Sequence, residues 1–228
     1  MEDFHIWFSE HEYKIEPAPP SPSGRILRLN PNFEDVDLSS DRPFIQWQNA
    51  SLIDLVNEAL NRPWQAIEIA TLALDEAKKR NRVKTFEKIK AAFSKSGVMP
   101  IPWLDDARIT IKNLTNSFEK PKSGMSSVYF ILVSGFSEQN GTYGCYVGQT
   151  STTKLHPFRD RVTKRISQHF DGVKSARGLQ KRGIEPLWSL NFFTGTLRAK
   201  NIQEKETSCN VALQNLNIKT KGDLLIDD

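Results

Sequence analysis

The sequence is poor in cysteine, with two in 228 residues, Cys145 and Cys209. That is too few for a disulfide scaffold or a four-ligand zinc site. No apolar run approaches the length a membrane helix needs, so no membrane partner is expected. No Gly-x-x-x-x-Gly-Lys stretch occurs, which excludes a P-loop nucleotide site. The acidic, aromatic start from Met1 to Glu10 lacks the basic end and hydrophobic stretch of a secretory signal, and a cytoplasmic protein is the expectation.

Charge is unevenly spread. Residues 1–62 hold eleven Asp or Glu against five Lys or Arg, whereas residues 141–190 hold nine basic against three acidic side chains. The basic set is Lys154, Arg159, Arg161, Lys164, Arg165, Lys174, Arg177, Lys181 and Arg182. Clustered positive charge is what a phosphate-binding surface needs, and a solvated basic face gives the same count.

Pro17, Pro19, Pro20 and Pro22 exclude a helix near the start and read as an extended linker, with a short strand expected at Arg25 to Leu29. Three helices are expected next. The first follows Ser51 as N-cap on the stripe Leu52, Leu55, Val56 and Leu60. The second runs from Trp64 to about Lys79, and the third from Val83 to Ser96, ended by Gly97. Such a bundle serves more often as scaffold than as a DNA-reading helix-turn-helix. Ala107 to Lys112 reads as a strand. Glu119 to Gly124 reads as a hinge, dividing the chain into residues 1–124, for DNA recognition or oligomerisation, and residues 125–228.

In the second part, Val128 to Val133 reads as a buried strand, followed by the turn pair Asn140-Gly141 and a second strand from Tyr143 to Gly148. Tyr129 and Tyr146 should therefore lie close together. Phe158 to Phe170 reads as a helix with Phe158, Val162, Ile166 and Phe170 on one stripe and Arg161, Arg165 and His169 on the next. Arginine offers a donor fork matched to phosphate, and histidine moves a proton or donates a hydrogen bond. The basic loop from Asp171 to Gly183 suits a phosphate backbone. Trp188 to Phe193 reads as a third strand, and Lys200 to Asn215 as a last helix. On it Glu206 falls on the apolar stripe with Ile202, Cys209 and Leu213, while Glu204 faces away. A carboxylate on a buried face needs a partner or a metal, which favours Glu206 over Glu204.

Ser127-Val128-Tyr129, Tyr146-Val147-Gly148, Arg165 with His169 four residues on, Glu206 and Asn217 together resemble the GIY-YIG nucleases, most closely the branch containing GIY-YIG type II restriction endonucleases. Ser127 stands where that pattern has its first glycine, and the stretch between the tyrosines is longer than in compact members. The resemblance covers about residues 125 to 220. It implies an α+β fold, with a small antiparallel three-stranded sheet flanked by helices and a mainly helical N-terminal region. It implies a DNA endonuclease hydrolysing phosphodiester bonds with Mg²⁺ or Mn²⁺ on Glu206, as a restriction or defence enzyme acting on double-stranded DNA. A homodimer is among the assemblies it allows. Tyr129 would activate water, Tyr146 orient the phosphate, Arg165 bind it and His169 assist. Arg161, Lys164, Lys174, Arg177, Lys181, Arg182 and Asn217 would contact DNA. A repair or recombination nuclease and an inactive DNA-binding or regulatory protein are the competing readings. The Asp75-Glu76-Ala77-Lys78 match to another nuclease motif lies on an expected helix, where that motif needs a strand.

Overall fold

A computed structural model describes residues 36–38, 40–61, 66–118, 126–134, 143–151, 158–172, 175–176, 179–190, 192–193 and 199–220. The expected strand at residues 25–29, the Asn140-Gly141 turn and the hinge at 119–124 lie outside them. Helices α1 (Asn49–Leu60), α2 (Ile67–Lys79), α3 (Val83–Ser96) and α4 (Leu104–Asn116) precede strands β1 (Ser126–Val133) and β2 (Gly144–Ser151). Then come α5 (Phe158–Phe170), α6 (Leu179–Arg182), β3 (Gly183–Pro186), β4 (Phe192–Phe193) and α7 (Ala199–Gln214). None of the described helices is long and apolar enough to cross a membrane.

The helices follow their apolar periods. Leu52, Leu55, Val56, Ala59 and Leu60 are buried along α1, which begins at Asn49 rather than after Ser51. Helix α2 is central: Ile67 through Leu74 are all buried, and α1, α3 and α4 pack on it. Asn81 (φ 54°) and Gly97 (φ 69°) take the left-handed conformation just beyond α2 and α3, which breaks the helical hydrogen-bond run.

Two expected strands are corrected. Ala107 to Lys112 is the middle of helix α4. Ile109 is exposed and Ile111 buried, a two-residue step that separates faces on a helix but would keep both on one face of a strand. Asp105 and Asp106 also suit the first turn of a helix. The third strand is Gly183–Pro186, not Trp188 to Phe193. Residues 188–190 turn, and only Phe192–Phe193 rejoins the sheet, beside β1. The buried Glu68 carboxylate draws the chain off there, accepting the N–H groups of Trp188 and Ser189 (each 2.9 Å) and the Ser189 hydroxyl (2.6 Å).

The sheet is antiparallel, in the order β2-β1-β3, with β4 also on β1. Leu132 pairs with both Cys145 and Glu185, so these three share one face. That face looks toward the helical region, because the Glu68 N–H donates to the Glu185 carboxylate at 2.7 Å. Helix α7 packs on β1, β2 and α4. Trp103, at the start of α4, donates its indole N–H to the Tyr143 carbonyl at 3.2 Å, and the Tyr143 hydroxyl donates to the Met99 carbonyl at 3.0 Å. One hydrophobic core thus runs from the helices through the sheet.

Candidate functional site

Strand alternation assembles the first half of the site. Tyr129 stands opposite Gly148 and Ile131 opposite Tyr146, so the two tyrosines project from one face as diagonal neighbours. Their ring centres lie 6.3 Å apart. Helix α5 buries Val162 and Ile166 and delivers His169 in its last turn. His169 Nε2 is 2.6 Å from the Tyr129 hydroxyl, and the Tyr146 ring meets the imidazole edge-on, centres 5.4 Å apart. Tyr129 and His169 are fully buried, and Arg165 is the half-buried member of the group.

The backbone assigns the imidazole tautomer. The Ala176 N–H points at His169 Nδ1 from 3.4 Å, which makes Nδ1 the acceptor and places the ring proton on Nε2. Nε2–H then donates to the Tyr129 oxygen. Burial is the largest influence on that phenol and raises its pKa well above the usual value, and Tyr146 acts in the same direction. The charge and hydrogen bonding of Arg165 pull it down. Arg165 Nη1 also donates to the Gln168 side chain at 3.3 Å, which braces the guanidinium on its own helix. Burial thus favours the neutral phenol of Tyr129, with the His169 imidazole against its oxygen and the Arg165 charge acting on it.

Gly148 belongs to this site in a way its place in the tripeptide only hints at. A Cβ there would fall 2.5 Å from both Cζ and the hydroxyl oxygen of Tyr129. The phenol lies flat over the glycine, so the last residue of Tyr146-Val147-Gly148 makes room for the first tyrosine.

Glu206 is placed differently. It is buried on α7, and its charge acts on the Cys209 thiol, which burial together with that charge pushes up to about 12. Cys209 in turn acts on Cys145, as does Glu68. Cys145 and Tyr146 are consecutive strand residues and point to opposite faces. Glu206 thus lies beside Cys209 in the α7 layer. Among the described residues no group of three or more His, Cys, Asp or Glu gathers to hold a metal. The structure brings together Tyr129, Tyr146, Arg165 and His169.

The remaining expected contact residues are described only in part. Lys164 is exposed on α5 and Glu204 on α7. Arg182 is half buried at the end of α6, its carbonyl accepting the Ser134 N–H at 2.8 Å. Arg161 and Lys181 lie in α5 and α6 with side chains outside the described set, and Lys174 and Arg177 lie outside the described residues. Asn217 has a structural reason to be asparagine. At φ 57° it ends α7, its N–H on the Gln214 carbonyl (2.8 Å) and the Ile218 N–H on the Leu213 carbonyl (3.1 Å). No family model, curated protein or solved structure matches this chain.

Proposed function

We propose that the Tyr129–Tyr146–Arg165–His169 cluster is the phosphate-handling centre of a DNA endonuclease that hydrolyses phosphodiester bonds. The observation that carries this reading is the 2.6 Å contact between Tyr129 and His169, made on the face that also bears Tyr146 and Arg165. Arg165 supplies the fixed charge and donor fork for a phosphate oxygen. Tyr129 gives up its proton to solvent, and His169 Nε2–H and Arg165 stabilise the phenolate. The phenolate takes the proton of the attacking water and passes it to the leaving oxygen as the phosphorus–oxygen bond breaks. Tyr146 packs edge-on against the imidazole and limits its movement. The resemblance to GIY-YIG restriction enzymes extends this to a restriction or defence enzyme on double-stranded DNA.

Glu206, buried on α7, is the carboxylate that would hold the divalent ion the resemblance implies, and that ion would stabilise charge on the leaving oxygen. The deep burial of Tyr129, which favours its neutral phenol, favours a second reading, a DNA-binding or regulatory protein that keeps the fold of a nuclease without the activity.

One plasmid assay separates them. Supercoiled DNA is incubated with wild type, Tyr129→Phe, Arg165→Gln and Glu206→Gln, with Mg²⁺ and with chelator. The nuclease reading expects nicking by wild type and a loss of about 100-fold or more in the first two variants. Binding without nicking under every condition supports the second reading. A Glu206→Gln loss as deep as that of Tyr129→Phe, in a folded protein, would show that Glu206 does reach the centre.

A further inference from the structure

A cleft of about 690 Å³ lies between the segment before α1, the end of α2, one face of α4 and the turn after β3. It shares no lining residue with the Tyr129 centre. Its charged lining is Asp41, Arg42, Lys79, Asp105, Arg108 and Lys112. Asp105, Arg108 and Lys112 recur along α4 at helical spacing and so share a face. Four cations against two carboxylates leave the lining with a net charge of +2.

The two carboxylates sit on the outside. Lys79 pairs with Asp105 at 2.7 Å, each a third exposed, and Lys112 pairs with the largely exposed Asp41. Such surface pairs contribute little and exchange readily for a better anion. Arg42 is held by two hydrogen bonds to Glu76. Arg108 is the unusual member. It is nine-tenths buried, its Nη2 donates to the Leu38 and Ser40 carbonyls, and its Nη1 is 3.9 Å from Asp105. Its Nε–H is buried with no acceptor among the described residues. A buried donor on a charged group is costly to leave unmatched. Ile111 and Leu190, both buried, supply apolar lining to the same cleft.

We propose that this cleft binds a phosphate group carried on a small molecule, of mononucleotide size. A phosphate dianion has enough acceptor oxygens for Lys79, Lys112 and the Arg108 Nε–H together, displacing the outer carboxylates. The volume falls in the range of small-ligand sites and the buried aliphatic side chains suit an organic body. The site is independent of the Tyr129 centre and of its activity.

The test is calorimetric titration of the full chain with inorganic phosphate, a 5′-mononucleotide and a short DNA duplex, at chloride-matched ionic strength. The proposal expects saturable mononucleotide binding, weakened at least 10-fold in Lys79→Ala/Lys112→Ala. Both lysines are partly exposed, so that variant keeps its fold by circular dichroism, and its plasmid nicking equals wild type. Arg108→Lys keeps the charge but loses the Nε–H donor and is expected to weaken binding in the same assay. Three outcomes overturn the proposal: no mononucleotide heat beyond the chloride control, binding unchanged in the double variant, or a duplex bound through these lysines while the mononucleotide is not.

Discussion

Replacing Gly148 by alanine adds one methyl group, and the structure says where it goes. The new Cβ would meet Tyr129 Cζ and its hydroxyl oxygen at 2.5 Å and Cε2 at 2.8 Å, when ordinary contact begins near 3.4 Å. The phenol would have to retreat by about 0.9 Å. It has little room, for Tyr129 is fully buried, hydrogen-bonded to His169 and flanked by Tyr146. Overpacking of this kind costs about 1–3 kcal/mol, and losing the Tyr129–His169 hydrogen bond adds about 1 kcal/mol. A Gly-to-Ala change returns roughly 0.4–1 kcal/mol by restricting the unfolded chain. The net expectation is a loss of about 2 kcal/mol. In urea unfolding the midpoint should fall while the slope stays the same. A variant as stable as wild type, or more stable, would refute the reasoning, because it would mean that the ring does not rest on that glycine.

Two further perturbations test the packing around the site. Glu68→Ala removes the acceptor for three donors at Trp188 and Ser189, and should cost about 3 kcal/mol or more by urea unfolding. Loss of less than 1 kcal/mol would contradict the clamp. Asp75 has its pKa raised to about 6, first by burial and then by neighbouring Asp105. A carboxyl that binds its proton more tightly in the folded state lowers stability as pH climbs from about 4 to about 6. Asp75→Asn should therefore add about 1–2 kcal/mol at pH 8 and almost nothing at pH 4, and equal effects at both would sink the assignment.

What the sequence makes legible here is whatever is local. Helix α5 falls at Phe158–Phe170 as its apolar stripe predicts, and β1 coincides with the run from Val128 to Val133. The tyrosines meet because one hairpin carries both. The misreadings have nonlocal causes. Ile109 and Ile111 imitate strand alternation, and what makes α4 a helix is the partner surface that buries only Ile111. Trp188 to Phe193 has the composition of a strand, yet Glu68, 120 residues away from Trp188 in sequence, takes its N–H. The role of Gly148 depends on register across β1 and β2, and the Ala176 amide on His169 depends on where the loop after α5 returns.

Glu206 shows the same limit at the level of function. Helical periodicity correctly predicts that its face of α7 is buried, since Ile202, Glu206, Cys209 and Leu213 all are. Periodicity cannot say which side of the sheet that helix covers. Strand alternation separates the surroundings of Cys145, which include Cys209, from those of Tyr146, which include His169. Glu206 lies buried beside Cys209, where an acid needs a partner to offset its loss of water. The chemistry at Tyr129 then depends on donors from the chain itself, Arg165 and the His169 Nε2–H, and on the Ala176 amide that fixes which nitrogen of that ring carries the proton.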